Sequence, residues 1–206
     1  MVEEKITFKT ALMGLVRGND PFGVIIIDEH MGPRVYATEQ NEKARLLTVN
    51  LAQNQVLSAA AKSDKAHIWN IYFVEGAKNI ETKTINEFNN PRHLRMQLGM
   101  LGERAIRVVK TKANIFKEST PNFDGELKES NIKEAVVMGY NTRACVAACV
   151  GGDYADCEIP MSDTYKDGLI GRGITVHSHS SLLRGWEGKP DGWEKRKGVV
   201  FYTKFA

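Results

Sequence analysis

The segment Phe22-Gly23-Val24-Ile25-Ile26-Ile27-Asp28 decides the fold. Four β-branched residues follow one another with no polar residue between them. A strand with one wet face would alternate, so this run fits a parallel strand buried on both faces. Such a strand needs helices above and below it, and the sequence on either side supplies the pattern. Residues 41–63 carry Ala44, Leu47, Leu51, Val56 and Ala59 near helical spacing, which predicts a long helix. Residues 66–74 (AHIWNIYFV) predict a second strand, 75–91 a long polar loop, and 91–102 a short helix. A third strand is expected at 105–110, a helix at 123–133 and a fourth strand at 134–139. A further helix over 142–153, a fifth strand at 157–162 and a sixth at 198–205 complete the pattern, with an irregular Gly-, Ser- and Trp-rich stretch before the last. Helices alternating with apolar strands imply a three-layer α/β/α fold. Its sheet is mostly parallel and six-stranded, with Rossmann-like winding. With no repeat or low-complexity linker, residues 1–206 are expected to form a single domain.

Composition narrows the functional class. Of 206 residues, 42% are hydrophobic and 26% charged, the balance of an ordinary water-soluble globular protein. The 28 basic and 25 acidic residues are interspersed and leave a net charge of +3, too weak to argue for nucleic acid. No stretch of about 18 apolar residues is present, so no membrane partner is expected. The start, MVEEKITFK, is acidic before it is basic, unlike a secretory signal, and three cysteines give no disulfide framework. A reduced, cytoplasmic protein is the expectation.

Three polar residues stand where apolar strands end. Asp28 closes the first strand, Lys110 the third, and Cys145 lies in the turn and first helical residues after the fourth, about three residues into a helix begun near 141 or 142. Open α/β sheets bind ligands beyond the carboxyl ends of their strands, at the point where strand order reverses. A sheet wound from its middle places strands one and four side by side there, with Lys110 reaching in from further out on its long stem. The chemistry is coherent. A helix N-terminus near residues 141–142 and the Lys110 cation would lower the thiol's pKa, and Asp28 would take its proton and return it to a leaving amine. Taken singly the residues have plainer readings. An aspartate at a strand end often closes a turn, a lysine there is commonly solvated, and a cysteine in Ala-Cys-Val-Ala-Ala-Cys-Val fills core space. Their convergence on one sheet edge carries the argument.

The stretch Gly139-Tyr140-Asn141-Thr142-Arg143-Ala144-Cys145-Val146 resembles the G-x-x-T-x-x-C-V signature of the isochorismatase-like cysteine hydrolases. Asp28 at the end of its strand, and Lys110 followed by Phe116, match that family's spacing, and the likeness runs over about residues 22–163. It implies a hydrolase of a small amide or related C–N bond that works through a thioester, with an Asp28–Lys110–Cys145 triad and no cofactor. It also implies a cis peptide at Tyr140–Asn141 that turns the N–H groups of Asn141 and Cys145 toward an oxyanion. His30, Phe116 and Tyr140 are implied as substrate contacts. Departures from the family pattern are His30 in place of a glutamine and Cys149 in place of a threonine. The loop after the second strand lacks the Asp and paired His that bind metal in nicotinamidases, and from Asp163 onward the match is poor. The substrate is therefore open.

The remaining motifs are weaker. His177-Ser178-His179 could face two imidazoles one way, but no third ligand is evident. Cys145 and Cys149 lack redox C-x-x-C spacing, and Gly168-Leu169-Ile170-Gly171-Arg172-Gly173 reads as a turn or lid rather than a dinucleotide fingerprint. Trp186 and Trp193, taken as exposed, suggest a homo-oligomer contact. Besides a hydrolase of a small-molecule substrate, the alternatives are a catalytically silent member of the family, binding a metabolite or a partner subunit in the same crevice, and a thiol-redox protein.

Overall fold

The computed structural model describes residues 6–29, 40–74, 94–112, 114–151, 168–185, 188–190 and 192–206. Phe22–Ile27 form β1, and all six residues are buried. Side chains leave a strand on alternate faces, so an unbroken apolar run must serve two cores. Ile25 and Ile27 join one core with Trp69, Ile71 and Val137, while Val24 and Ile26 join the other with Ile68, Val136 and Met138. The first core is closed by α4 (Phe123–Ser130) and α5 (Cys145–Gly151), through Phe123, Leu127, Val146 and Val150. The second is closed by α1 (Phe8–Arg17), α2 (Gln40–Ala60) and α3 (Arg95–Leu101), through Phe8, Leu12, Val56, Leu57 and Leu98. These are the expected three layers.

Among the described residues the sheet has seven strands in the order β4-β3-β2-β1-β5-β6-β7. They are β2 (Ala66–Phe73), β3 (Ala105–Lys110), β4 (Ser119–Thr120), β5 (Glu134–Gly139), β6 (Thr175–His179) and β7 (Val199–Tyr202), added to β1. All pairs are parallel except β3 with the two-residue β4. The chain winds outward from β1 to β3, returns to the middle as β5, and winds outward the other way. Ile27 is paired with Ile71 on one side and Gly139 on the other, so β1 and β5 flank the reversal as expected.

Seven strands replace the six expected, for two reasons. β4 is too short to leave a pattern. β6 lies in the stretch read as irregular because three of its four buried residues, His177, Ser178 and His179, are polar. Ser178 donates to Val137 O, His177 lies between the Tyr202 hydroxyl (2.9 Å) and the Glu134 carboxylate (2.7 Å), and His179 Nδ1 accepts from the Ser181 N–H. The polar groups are satisfied within the fold, and the two imidazoles are spoken for. The strand expected at 157–162 and the loop expected at 75–91 lie outside the described residues; the place beside β5 is taken by β6.

Helix limits also differ. α4 stops at Ser130 because Asn131 turns left-handed (φ 50°). α1 was not foreseen, although Phe8, Leu12 and Leu15 repeat at helical spacing and its Thr7 caps the Thr10 N–H. The segment 168–173 is a turn, with Ile170–Arg172 in a single 3-10 helix closed by left-handed Gly173. Among the described residues, no helix is long and apolar enough to cross a membrane.

At the reversal the two central strands are pressed together. Tyr140 N–H donates to Ile27 O at 2.7 Å. A Cβ on Gly139 would stand 2.1 Å from that same oxygen, at a φ of 134°. Gly139→Ala is therefore expected to cost on the order of 3 kcal/mol or more, since backbone rather than a side chain must move. Gly173→Ala has nothing within 4 Å of its Cβ, so the left-handed backbone alone should cost about 1 kcal/mol. Urea unfolding midpoints of the two variants would show the difference.

Candidate active site

Asp28 leaves β1 with a left-handed backbone (φ 49°) while its N–H still donates to Ile71 O at 3.0 Å. The carboxylate turns into the crevice at the end of the sheet. Lys110 ends β3 opposite Phe73, and β2 separates it from β1. Its stem crosses that gap and brings Nζ to 2.8 Å from Asp28 Oδ2, with 1% of either side chain exposed. The Phe73 ring lies 5.2 Å from the same ammonium, a cation–π contact in a dry setting. Asp28 Oδ1 is buried without a conventional hydrogen-bond partner.

Cys145 is the third member of the group. Its thiol is within hydrogen-bonding reach of both Asp28 and Lys110. The three residues read from the ends of strands one and three and from the helix after strand four are thus brought together. Two features differ from the expectation. Cys145 is the first residue of α5 rather than a residue inside a helix begun near 141. The preceding residues are tied elsewhere: Thr142 donates through N–H and Oγ1 to Arg184 O, and the N–H groups of Ala144 and Val146 converge on Asn141 O. Nor is the thiol's pKa lowered. Burial pushes it up, the neighbouring Asp28 carboxylate pushes it further, Lys110 opposes both, and the result is about 12. For Lys110, burial works against the charge, but Asp28 and Cys145 more than offset it and hold the ammonium above its ordinary value. The resting site is a neutral thiol beside an ion pair.

The peptide Tyr140–Asn141 is cis. Among the described residues, nothing accepts from the N–H of Asn141 or of Cys145. Two unengaged donors beside a thiol are what an oxyanion needs. The turn is braced from behind by Trp193, whose Nε1 donates to Thr142 O at 3.1 Å.

No family model and no curated protein matches the chain by sequence. Solved structures match by shape. An isochorismatase-like hydrolase from Alkaliphilus metalliredigens superposes with a TM-score of 0.58 at 15% identity, covering 87% of each chain. The chain has the isochorismatase-like hydrolase fold. The nicotinamidase of Bacillus subtilis is similar at a TM-score of 0.54 and 12% identity, over 85% of this chain and 91% of that one. The N-carbamoylsarcosine amidase of Thermoplasma acidophilum is similar at 0.50 and 10%, over 88% and 95%.

Other residues singled out in the sequence fall variously on this isochorismatase-like frame. Tyr140 is half-buried, its ring edge 3.1 Å from where a Cβ on Gly185 would stand. Phe116 packs on Phe123 (5.4 Å between centroids) beneath Arg172, 3.7 Å above its ring. His30 and Trp186 lie outside the described residues. Trp193, expected at an exposed subunit contact, is 0% exposed and packs edge-on against Phe201. Its surroundings are inside the protein, so the oligomer argument cannot rest on it. The sequence reading missed Glu29 and Arg184, a buried ion pair at 2.9 Å whose carboxylate belongs to the residue after Asp28. Glu29 carried a usable signal, a second carboxylate at the end of an apolar strand; Arg184 carried none.

The raised thiol pKa fixes a pH dependence. In the unfolded chain Cys145 ionises near its ordinary 9.0, whereas in the fold it stays protonated to about 12. The stability this contributes is full below pH 9.0 and is lost as pH rises through about 12. Cys145→Ala should therefore lose less stability than the parent across that alkaline range. Urea midpoints taken at stepped pH check it; parallel curves for the two proteins would contradict the assignment.

Proposed function

We propose that the protein is a cysteine-dependent hydrolase of a small amide or related C–N bond, acting through a thioester on Cys145. The observation that carries the reading is the buried Asp28–Lys110 ion pair in contact with the Cys145 thiol. A buried charge pair at a sheet's switch point, set against a nucleophile and two unengaged N–H donors, has an obvious use in acyl transfer. The likeness in fold to a nicotinamidase and to an N-carbamoylsarcosine amidase supports amides as the substrate class.

Asp28 takes the thiol proton as Sγ attacks the substrate's carbonyl carbon, so no standing thiolate is needed. Lys110 holds the carboxylate in place and offsets the negative charge that passes to sulfur. The tetrahedral oxyanion is received by the N–H groups of Asn141 and Cys145. The protonated Asp28 then gives its proton to the leaving nitrogen, the C–N bond breaks and a thioester remains. Water attacks the thioester, Asp28 takes its proton, and Cys145 leaves as a thiol with the acid released. His30, Phe116 and Tyr140 complete the reading as substrate contacts. Cytoplasmic location and homo-oligomeric assembly belong to it as well. The apolar side chains left exposed on α2 (Leu47, Leu51) and α3 (Met96, Met100) give assembly a physical motive.

The test is intact mass spectrometry after incubation with nicotinamide, pyrazinamide and N-carbamoyl amino acids, looking for an acyl mass on Cys145. Cys145→Ala should lower turnover of the productive amide by more than about a thousandfold while the fold persists. Asp28→Asn and Lys110→Ala should each be crippling. Residues that act as one unit give non-additive losses, so the double variant should be scarcely worse than either single one. Losses that multiply would mean that Asp28 and Lys110 act independently. Retained turnover in Cys145→Ala would remove the nucleophile.

A further inference from the structure

Arg184 touches both halves of the proposed site without belonging to the proposed chemistry. Its backbone holds the turn that presents Cys145: its N–H donates to Gly139 O at 2.8 Å, and its carbonyl accepts from the Thr142 N–H at 3.0 Å and the Thr142 hydroxyl at 2.7 Å. Its side chain holds the residue next to the base. Arg184 donates through a terminal guanidinium nitrogen to Glu29 Oε2 at 2.9 Å, and Gln53 Nε2 donates to Glu29 Oε1 at 2.5 Å. Gln53 in turn donates to Leu182 O, two residues before Arg184. Glu29, Arg184 and Gln53 are all buried.

A buried ion pair of this kind is a poor device for stability, because desolvation of both charges consumes most of the attraction. Its position gives it another use. Glu29 follows Asp28 in the chain, so a second buried carboxylate lies within electrostatic reach of the proposed base; burial raises its proton affinity, an effect that Arg184 and Gln53 oppose and Asp28 reinforces. Left without its cation, Glu29 would compete for the proton that has to pass between Cys145 and Asp28, or would repel Asp28 as a like charge.

We propose that Arg184 is a positioning residue of this site: its guanidinium neutralises and fixes Glu29 so that Asp28 alone faces the thiol, while its carbonyl fixes the turn that carries Cys145. The inference rests on the reading of Cys145 as nucleophile and Asp28 as its base. Because substitution leaves the backbone carbonyl in place, the side-chain part can be tested by itself.

The full-length protein is used with Arg184→Met, Glu29→Gln and both together, and the rate of Cys145 alkylation by iodoacetamide near neutral pH is read by intact mass, alongside the melting temperature. Arg184→Met leaves an unpaired anion and should slow alkylation about tenfold; Glu29→Gln leaves an unpaired cation and should speed it; the double variant should return to within about threefold of the parent. Opposed signs with rescue are a charge signature that loosened packing does not produce. Two singles that change the rate in the same direction, or an Arg184→Met rate within about twofold of the parent, would overturn the proposal. Should Arg184→Met fail to fold, Arg184→Gln, neutral and hydrogen-bonding, is read against the same outcomes. The readout is the thiol itself, so it stands apart from amide turnover: full turnover by Cys145→Ala would sink the hydrolase reading while leaving the effect of Arg184 on the thiol to be decided by these rates.

Discussion

Lys110 and Asp28 form an ion pair at 2.8 Å with 1% of either side chain exposed, and much of the structure can be read as the means of keeping it there. Two charges taken out of water are tolerated only when geometry is tight and the surroundings hold them. The two-sided core of β1 and β2 supplies the dry setting. β2 spaces the partners, and the length of a lysine stem matches the width of one intervening strand. The short antiparallel pairing of Lys110 with Ser119 pins the end of β3 at the point where the ammonium departs. A shorter cation could not bridge that distance, and an arginine would bring a planar fork where a single point charge is wanted.

The thiol is coupled to this pair rather than activated by it. Desolvation and the adjacent carboxylate outweigh the cation, so the proton rests on sulfur. The site therefore holds a protonated thiol beside a buried ion pair. The arrangement differs from a thiolate stored at a helix end: Cys145 is the first residue of the seven-residue α5, yet burial and Asp28 keep its proton on sulfur. What α5 does contribute is a start point: its first residue lies where the turn from Gly139 to Ala144 has been tied down by Asn141, Arg184 and Trp193.

Much of this was legible in the residue order, and the gaps have physical causes. The apolar run 22–27 announced a two-faced strand, and the polar residues at strand ends announced the grouping of Asp28, Lys110 and Cys145, because both signals are local. The pairing of β1 with β5 followed from the winding rule alone. β6 was hidden because His177, Ser178 and His179 are buried on satisfied hydrogen bonds, and hydropathy cannot see a satisfied polar group. The shift of the helix start to Cys145 depended on hydrogen bonds from Thr142 to Arg184, a residue far along the chain. The thiol's raised pKa depended on burial, which no spacing reports. Trp193 was misplaced for a related reason: its ring is covered by Phe201 and its N–H by Thr142 O, partners that the sequence does not mark.

The parallel register of β1 with β5 carries a consequence for how the protein comes into being. Ile27 and Gly139 are neighbours in the sheet but far apart in the chain, with β2, β3, β4 and the segments that join them in between. Contacts of that separation require large loops to close before any return is gained, and chains dominated by them fold slowly. On the ribosome, β1, β2 and β3 emerge and can pair while the segment bearing Cys145 is still unmade. Asp28 and Lys110 would then wait at an open sheet edge with water on one side, and the pocket that buries them comes into existence with the docking of β5. Folding and the burial of this ion pair are in this architecture a single late event.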